Sequence, residues 1–381
     1  VLDKDGSYKN NIIGRNKDQK DVVILKDGYQ VFEPQFTYHG FRYVKITGIA
    51  EENIQMRAFV LGTPLKNAGK FSCSDSRINQ LQHCINWSTL GNMCSVPTDC
   101  PQREKLGWTG DIQVFAKTGS FNLELKNFLE TWMINLRADQ TEDGEVPVVV
   151  PNHPVQESLQ RKMSGGLNSS SAWSDACVLV PYYLYWQYGD IKVLEDNFLC
   201  MEKWLKFVEK QSAQEPEGFE AFSADKKQRN RYLWTKGYHF GDWLIPSLRS
   251  QKDGVQLGTE KTAAVVGACS YAITVQSFAK ICRYLHKNDK ALEYDSLLKN
   301  IRSAIREEFV SDDGSVNNSD LQGLYVMILR SGAVEGELKE KAAGQLEKLI
   351  IRNNYCLDTG FSSVPYLMDT LYDNGLKDTA Y

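Results

Sequence analysis

The chain has 381 residues, of which 42% are hydrophobic, 24% charged and 11% aromatic, and its net charge is −4. This composition is typical of a folded protein with a sizeable core and excludes global disorder. Basic residues are scattered among acidic ones without long blocks of one sign, so we expect no nucleic-acid partner and no anionic membrane surface. The longest apolar run is far short of a membrane span, and we expect none.

The cysteines and histidines give no support for a metal site or a disulfide framework. Nine cysteines extend from Cys73 to Cys356 without a C-x-x-C pair, which favours free, buried thiols. None of the five histidines has metal-ligand spacing, and His239 alone is considered for substrate contact. We expect no metal and no cofactor. The chain begins at Val1, so the lack of a signal peptide leaves periplasmic, secreted and cytoplasmic locations open.

Residues 1–66 have the pattern of β-structure. Short stretches rich in β-branched and aromatic residues are separated by turn signals and predict strands near 22–25, 36–38, 41–46 and 54–61. We expect a small or partial sheet that is the end of a larger β domain, cut off at its N-terminal side.

From residue 74 onward, apolar residues recur at helical spacing. Asp75 is a candidate N-cap for the first helix. Further helices are predicted over 112–118, 124–140, 174–188, 191–211, 259–286, 288–309, 319–331, 337–353 and 362–373. About ten helices without strands between them predict helical hairpins in series, as a solenoid or a closed α/α toroid. Residues 379–381 resemble the start of another helix, so we expect this domain to be incomplete.

Residues 98–111 fit neither a helix nor a strand. This loop holds three carboxylates, Asp99, Glu104 and Asp111, together with Arg103 and Trp108. Glycoside hydrolysis needs a protonated carboxyl group and a second carboxylate, and a tryptophan can stack on a sugar ring. The alternative is a capping loop, in which Asp111 caps the next helix and Arg103 pairs with Asp99 on the surface. The clustering favours the catalytic interpretation.

Two other tryptophans stand beside acids near predicted helix starts. These are Trp173 with Asp175, and Trp243 with Asp242. Each pair is a weak signal alone, but together with the loop they predict an aromatic, acid-lined cleft. Residues 141–170, between the predicted helix 124–140 and Trp173, form a long connection. Connections of this length inside a compact domain are usually functional or mobile.

The loop sequence Asp99-Cys-Pro-Gln-Arg-Glu-Lys-Leu-Gly-Trp-Thr-Gly-Asp111 closely resembles the signature of the α-L-rhamnosidases of glycoside hydrolase family 78. Residues 36–44, 96–98, 144–147, 173–176, 241–243 and 359–361 also resemble segments of that family. The resemblance therefore extends along nearly the whole chain.

The resemblance implies an (α/α)6 barrel over residues 67–381, preceded by the C-terminal part of a β-sandwich domain over residues 1–66. It implies hydrolysis of terminal α-L-rhamnosides with inversion, so that the partner is a carbohydrate. Glu104 would be the general acid. Asp99, Arg103 and Asp111 would bind the sugar or tune the acid, and the pocket would be lined by Trp108, Trp173, Asp175, Asp242 and Trp243.

Two departures from the family pattern bear on activity. The loop is one residue shorter than in many members, although counting back from Gly107 still places Glu104 as the acid. The family's general base stands in a segment reading like Thr-Ile-Trp-Glu, and no tryptophan here is followed by glutamate. We expect the base to lie beyond Tyr381 and this chain alone to be poorly active or inactive. A non-catalytic carbohydrate-binding protein is the alternative, and another hexosidase or a polysaccharide lyase on the same toroid is also open.

Overall fold

A computed structural model describes residues 1–12, 19–216 and 218–381 and shows a mainly helical protein. The helices are α1 (Ser76–Asn92), α2 (Thr109–Asn122), α3 (Lys126–Asp139), α4 (Pro154–Met163), α5 (Ala176–Tyr188), α6 (Lys192–Ser212), α7 (Ala224–Asn230), α8 (Pro246–Arg249), α9 (Gly254–Tyr284), α10 (Asn288–Phe309), α11 (Gln322–Ser331), α12 (Gly336–Arg352), α13 (Val364–Asp373) and α14 (Lys377–Ala380). Within the described residues, the strands are β1 (Met93–Cys94) and β2 (Val96–Pro97), which pair antiparallel.

The ten helices predicted from the sequence are all present. Asp75 caps α1 as expected, because its carboxylate accepts a hydrogen bond from the Arg77 N–H at 2.8 Å. The sequence pattern missed α4, which lies inside the long connection and begins at a proline, and it missed the short helices α7 and α8. It also placed the start of α9 five residues late, at 259 instead of Gly254.

Five helices follow one another around the centre of the domain. α2 contacts α5, α5 contacts α9, α9 contacts α11, and α11 contacts α13. The Lys117 ammonium of α2 lies 3.1 Å from the Asp369 carboxylate of α13. The helices α3, α6, α10 and α12 pack against this series, each beside one or two of its members. The expected mainly α architecture of stacked hairpins is therefore confirmed.

The core lies between these two layers. α5, α9 and α11 are buried over most of their length, which explains why their sequences are apolar on nearly all sides. α9 is long and apolar enough to cross a membrane by length and composition, but 89% of its most apolar window is buried inside the protein. All nine cysteines are free; four of them are buried, so the expectation of buried thiols holds for only part of the set.

The strands predicted in residues 1–66 are not found. The described part of this region has extended segments without strand pairing, apart from an isolated bridge between Leu2 and Tyr8, and residues 13–18 lie outside the described residues. Apolar side chains such as Ile24 and Phe59 are exposed. A strand needs a neighbour to bond its backbone groups, and β-propensity alone does not supply one. The assignment of residues 1–66 to a β-sandwich stays a prediction.

Candidate active site

The acid loop, residues 99–106, closes on itself through its first and last residues. The Asp99 N–H donates to the Leu106 carbonyl at 3.0 Å, and the Leu106 N–H donates to the Asp99 carboxylate at 3.1 Å. Inside the loop, the Glu104 N–H donates to the Cys100 sulfur at 3.3 Å. Asp99 therefore holds the two ends of the segment that carries Glu104.

The long connection fixes the other side of the loop. The Val150 N–H donates to the Gly107 carbonyl at 2.8 Å, and Trp108 forms a bridge with Val149. A Cβ at Gly107 would stand 2.0 Å from the Val150 carbonyl oxygen, so only glycine allows this approach. The irregular loop predicted over residues 98–111 is confirmed as far as Trp108, and α2 begins at Thr109, three residues earlier than predicted.

Glu104 lies at the surface of the loop with both carboxylate oxygens engaged. One oxygen is 3.0 Å from the Arg103 guanidinium, and the other accepts a hydrogen bond from the Trp108 indole N–H at 2.9 Å. Its side chain is 21% exposed. These contacts orient a carboxyl group that solvent and a ligand can still reach, which is the geometry that proton transfer requires.

Asp111 lies in the first turn of α2 and faces the other two carboxylates of the loop. Burial, together with the charges of Asp99 and Glu104, raises the pKa of Asp111 to about 8. Burial also raises the pKa of Asp99, against the lowering effect of hydrogen bonds from Cys100 and Leu106. Near neutral pH, Asp111 therefore keeps its proton and can donate a hydrogen bond. The capping alternative fails for Asp111, because the N-cap of α2 is Trp108 and no side chain caps it.

An aromatic cluster stands beside these carboxylates. Phe240 lies at its centre, with ring centroids 5.8 Å from Trp108, 4.3 Å from Trp173 and 5.5 Å from Trp243. Phe361 extends it, 5.4 Å from Trp173. The three tryptophans predicted to line the pocket thus come together from distant parts of the chain, and each of them packs against Phe240.

Asp242 joins two of the segments that build this cluster. Its carboxylate accepts hydrogen bonds from the Gly360 N–H at 2.8 Å and from the Ser363 hydroxyl and N–H at 2.7 and 3.0 Å. The Phe361 N–H then donates to the Trp243 carbonyl at 2.7 Å. Asp242 is 1% exposed, and burial raises its pKa against these hydrogen bonds. The geometry therefore favours a role in holding Phe361 beside Trp243.

Asp175 is buried in the same way. Its carboxylate accepts hydrogen bonds from the Trp204 indole at 3.0 Å and from the Ala172 N–H at 2.8 Å. Ala172 has a φ of +60°, and it precedes Trp173. These bonds stabilise the unusual turn that aims Trp173 into the cluster. Direct sugar contact by Asp175 or Asp242 stays a prediction, and the geometry favours a structural role for both.

Comparisons with known proteins decide the family. Residues 66–381 match the family model described as the bacterial alpha-L-rhamnosidase 6 hairpin glycosidase domain, and residues 1–62 match the bacterial alpha-L-rhamnosidase concanavalin-like domain. The chain belongs to the bacterial α-L-rhamnosidase family. The recognition made from the acid loop is therefore confirmed, and so is the six-hairpin architecture.

Curated relatives agree with this family. The chain is 34% identical over 387 residues to an α-L-rhamnosidase of Streptomyces avermitilis, and 29% identical over 386 residues to one of Formosa agariphila. Both alignments cover 100% of this chain but only 33% and 38% of the relatives. The chain thus spans little more than a third of their length.

Solved structures of rhamnosidases share the fold. The native enzyme of Aspergillus terreus superposes with a TM-score of 0.76 at 27% identity, covering 93% of this chain and 39% of that one. The S. avermitilis enzyme complexed with L-rhamnose gives a TM-score of 0.68 at 32% identity, covering 84% and 27%.

Sequence reasoning missed two parts of the candidate site. Phe240, the centre of the aromatic cluster, was not predicted, although it lies directly before the Gly241–Trp243 segment. Phe361 was noted only as part of a family-like segment. His239 is 2% exposed, and burial lowers its pKa to about 4, so the geometry disfavours the substrate contact considered for it. The described residues contain no cluster of side chains suited to a metal ion.

Proposed function

We propose that the protein removes terminal α-L-rhamnose from rhamnosides, with Glu104 as the general acid. The observation that carries the proposal is the position of Glu104, held between Arg103 and Trp108 yet accessible, beside two further carboxylates. The relatives described above are α-L-rhamnosidases, and the one from S. avermitilis was crystallised with L-rhamnose.

In this mechanism the glycosidic oxygen takes its proton from Glu104 as the bond to the sugar breaks. Asp111, protonated near neutral pH, donates a hydrogen bond to a sugar hydroxyl, and the ionised form of Asp99 accepts one. The Arg103 guanidinium keeps the carboxyl group of Glu104 oriented. Trp108 and Trp243, both partly exposed, present apolar faces to the sugar ring and its methyl group.

We infer that hydrolysis inverts the anomeric centre. An inverting site needs a second carboxylate about 6.5–9.5 Å from the acid, with room for a water molecule between them. Asp175 and Asp242 are poor candidates for this base, because protein donors occupy their carboxylates. Proton NMR of the first product is then expected to show β-L-rhamnose before mutarotation. The α-anomer appearing first would contradict inversion.

The proposal is tested with Glu104→Gln in the complete natural polypeptide. Hydrolysis of rhamnosides with poor leaving groups is expected to fall by about 10²- to 10⁴-fold, because the amide cannot supply the proton. Binding of L-rhamnose, measured by calorimetry, is expected to persist. Glu293→Gln, on the exposed face of α10, is the matched control and is expected to leave turnover unchanged.

Two outcomes would reject the proposal. Unchanged turnover in Glu104→Gln would remove Glu104 from the mechanism. Binding of rhamnose without any release of sugar by the unaltered protein would support a carbohydrate-binding module instead.

A further inference from the structure

A short part of the N-terminal region contacts the tip of the acid loop. Between residues 19 and 62, nearly all described residues are exposed, and the partly buried exceptions are Gln19, Ile54 and residues 38–40. The Gln19 side chain donates to the Gln102 carbonyl at 3.3 Å. A Cβ at Gly40 would stand 2.8 Å from the Gln102 side chain and 3.0 Å from the Pro101 carbonyl oxygen, so the Gly40 backbone lies against the loop. Most of the burial in this segment therefore coincides with contact to the loop.

Lys105 makes the most specific of these contacts. Its ammonium donates a hydrogen bond to the Tyr38 carbonyl and lies 4.5 Å from the centroid of the Tyr38 ring. Burial lowers the pKa of Lys105. On the other side, the Lys105 N–H donates to the Cys100 carbonyl at 3.2 Å, inside the acid loop. One side chain thus connects Tyr38 to the loop.

The backbone of Lys105 is strained. Its φ is +56°, a conformation that costs free energy for a residue with a side chain and persists only where neighbouring contacts enforce it. Lys105 directly follows Glu104, so the Lys105 backbone sets the direction of the peptide that leaves the acid. If the contact with Tyr38 were lost, relaxation of Lys105 would turn this peptide and displace the carboxyl group of Glu104.

We infer that Lys105 is a positioning residue, through which the segment Tyr38–Gly40 holds the general acid in place. The inference rests on the proposed function, because it assumes that Glu104 donates the proton. Residues 38–40 also make a contact outside the loop, because the His39 Nε2 lies 2.8 Å from the Asp21 carboxylate.

The test compares two leaving groups in the complete natural polypeptide. Hydrolysis of a dinitrophenyl rhamnoside needs little help from an acid, whereas hydrolysis of a rhamnosyl disaccharide depends on it. In Lys105→Met, kcat for the disaccharide is expected to fall by about 10-fold or more, since a misplacement near 1 Å can cost up to 10²-fold, while KM changes little. The kcat for the dinitrophenyl substrate is expected to fall by less than about 2-fold, because its leaving group needs no proton.

Three further variants separate positioning from general damage. Lys105→Arg keeps the charge and the aromatic contact and is expected to restore most of the disaccharide activity. Tyr38→Leu removes the ring but keeps the carbonyl, so it should shift the ratio of the two kcat values in the same direction by a smaller amount. Lys227→Met is the matched control, since Lys227 lies 5.3 Å from the Phe219 ring, on a different part of the surface.

The possible results discriminate clearly. Equal losses on both substrates, or a rise in KM alone, would overturn the inference, because they indicate a structural or a substrate-binding role. If Lys105→Met fails to fold, an unchanged ratio in Tyr38→Leu overturns it. Should the unaltered protein hydrolyse neither rhamnoside, the proposed function itself fails, whereas an active protein with unchanged ratios rejects only the role of Lys105.

Discussion

Asp111 shows how burial and neighbouring charge compete with position in a helix. A carboxylate in the first turn is normally stabilised by the positive end of the helix dipole, typically by about 0.3–1 kcal/mol. Here burial comes first among the effects on Asp111, and the charges of Asp99 and Glu104 add to it, so the pKa rises to about 8. The protonated form of Asp111 therefore prevails near neutral pH despite the favourable helix dipole.

The raised pKa of Asp111 predicts that the effect of Asp111→Asn on protein stability depends on pH. Between the ordinary pKa and about 8, native Asp111 holds a proton that the unfolded chain has released, so stability falls as the pH rises. The slope reaches about 1.4 kcal/mol per pH unit for one proton. Asparagine does not ionise, so the variant does not lose stability in this way as the pH rises. In thermal unfolding from pH 4 to pH 8, the stability of the variant relative to the original protein should rise steadily with pH.

The control for this measurement is Asp225→Asn. Asp225 also lies in the first turn of a helix, α7, but it is exposed. Its replacement is expected to have only a small effect on stability, because its side chain makes few buried contacts. A constant difference between Asp111→Asn and the original across the range would mean that Asp111 ionises at its ordinary pKa.

At the scale of elements, the start of α2 is shaped by its contact with Trp173. Gly110 lies in the first turn, and a Cβ there would be 2.6 Å from several atoms of the Trp173 indole. A glycine in a helix costs about 0.5–1 kcal/mol relative to alanine. Glycine is nevertheless present here, because only a residue without a side chain lets the Trp173 indole lie against the first turn of α2. The indole is thereby held between α2 and Phe240.

Gly110→Ala is therefore expected to destabilise the protein despite the better helix propensity. Overpacking in a filled site costs about 1–3 kcal/mol, which exceeds the gain from alanine. Denaturant unfolding measures the net loss, and weaker binding of L-rhamnose should accompany it, since Trp173 must move. Gly344→Ala is the matched control: Gly344 lies inside α12 with no atom within 4 Å of a Cβ, so this change should stabilise by about 0.5–1 kcal/mol. Stabilisation by both changes would show that the indole adapts without cost.

At the scale of the whole molecule, burial is distributed unevenly. The helical domain buries a continuous apolar core, whereas the described residues before position 66 are almost entirely exposed and form no ladder beyond the isolated bridge between Leu2 and Tyr8. Regions with few buried contacts open first, and their stability is low compared with the core.

Limited proteolysis of the 381-residue chain tests this division and the domain boundary near residue 66. Trypsin is expected to cut first after Lys26 and Arg57, which are exposed and lie apart from the contacts at residues 38–40. Mass spectrometry should then find a resistant fragment that contains α1 to α14. Early cleavage inside α9, at Lys261 or Lys280, would contradict the division.

Local chemistry was readable from the sequence because it depends on neighbours along the chain. Helical spacing located ten helices, Asp75 was recognised as a cap, and the acid loop was recognised within the fourteen consecutive residues 98–111. The strands predicted near 22–25 and 54–61 are not formed in this structure, because a strand depends on a partner that propensity does not reveal.

Only the tertiary structure decided which residues meet. Trp108, Trp173 and Trp243 come from separate hairpins and converge on Phe240, which no pattern along the chain had singled out. The same convergence places Asp111, with little exposure to solvent, near like charges and directs the carboxylate of Asp242 to residues more than a hundred positions away. Burial and long-range contact set the proton affinity of a carboxyl group and the donors available to it. Residue type and spacing therefore identified the acid loop, while its electrostatics and its aromatic surroundings arose from packing.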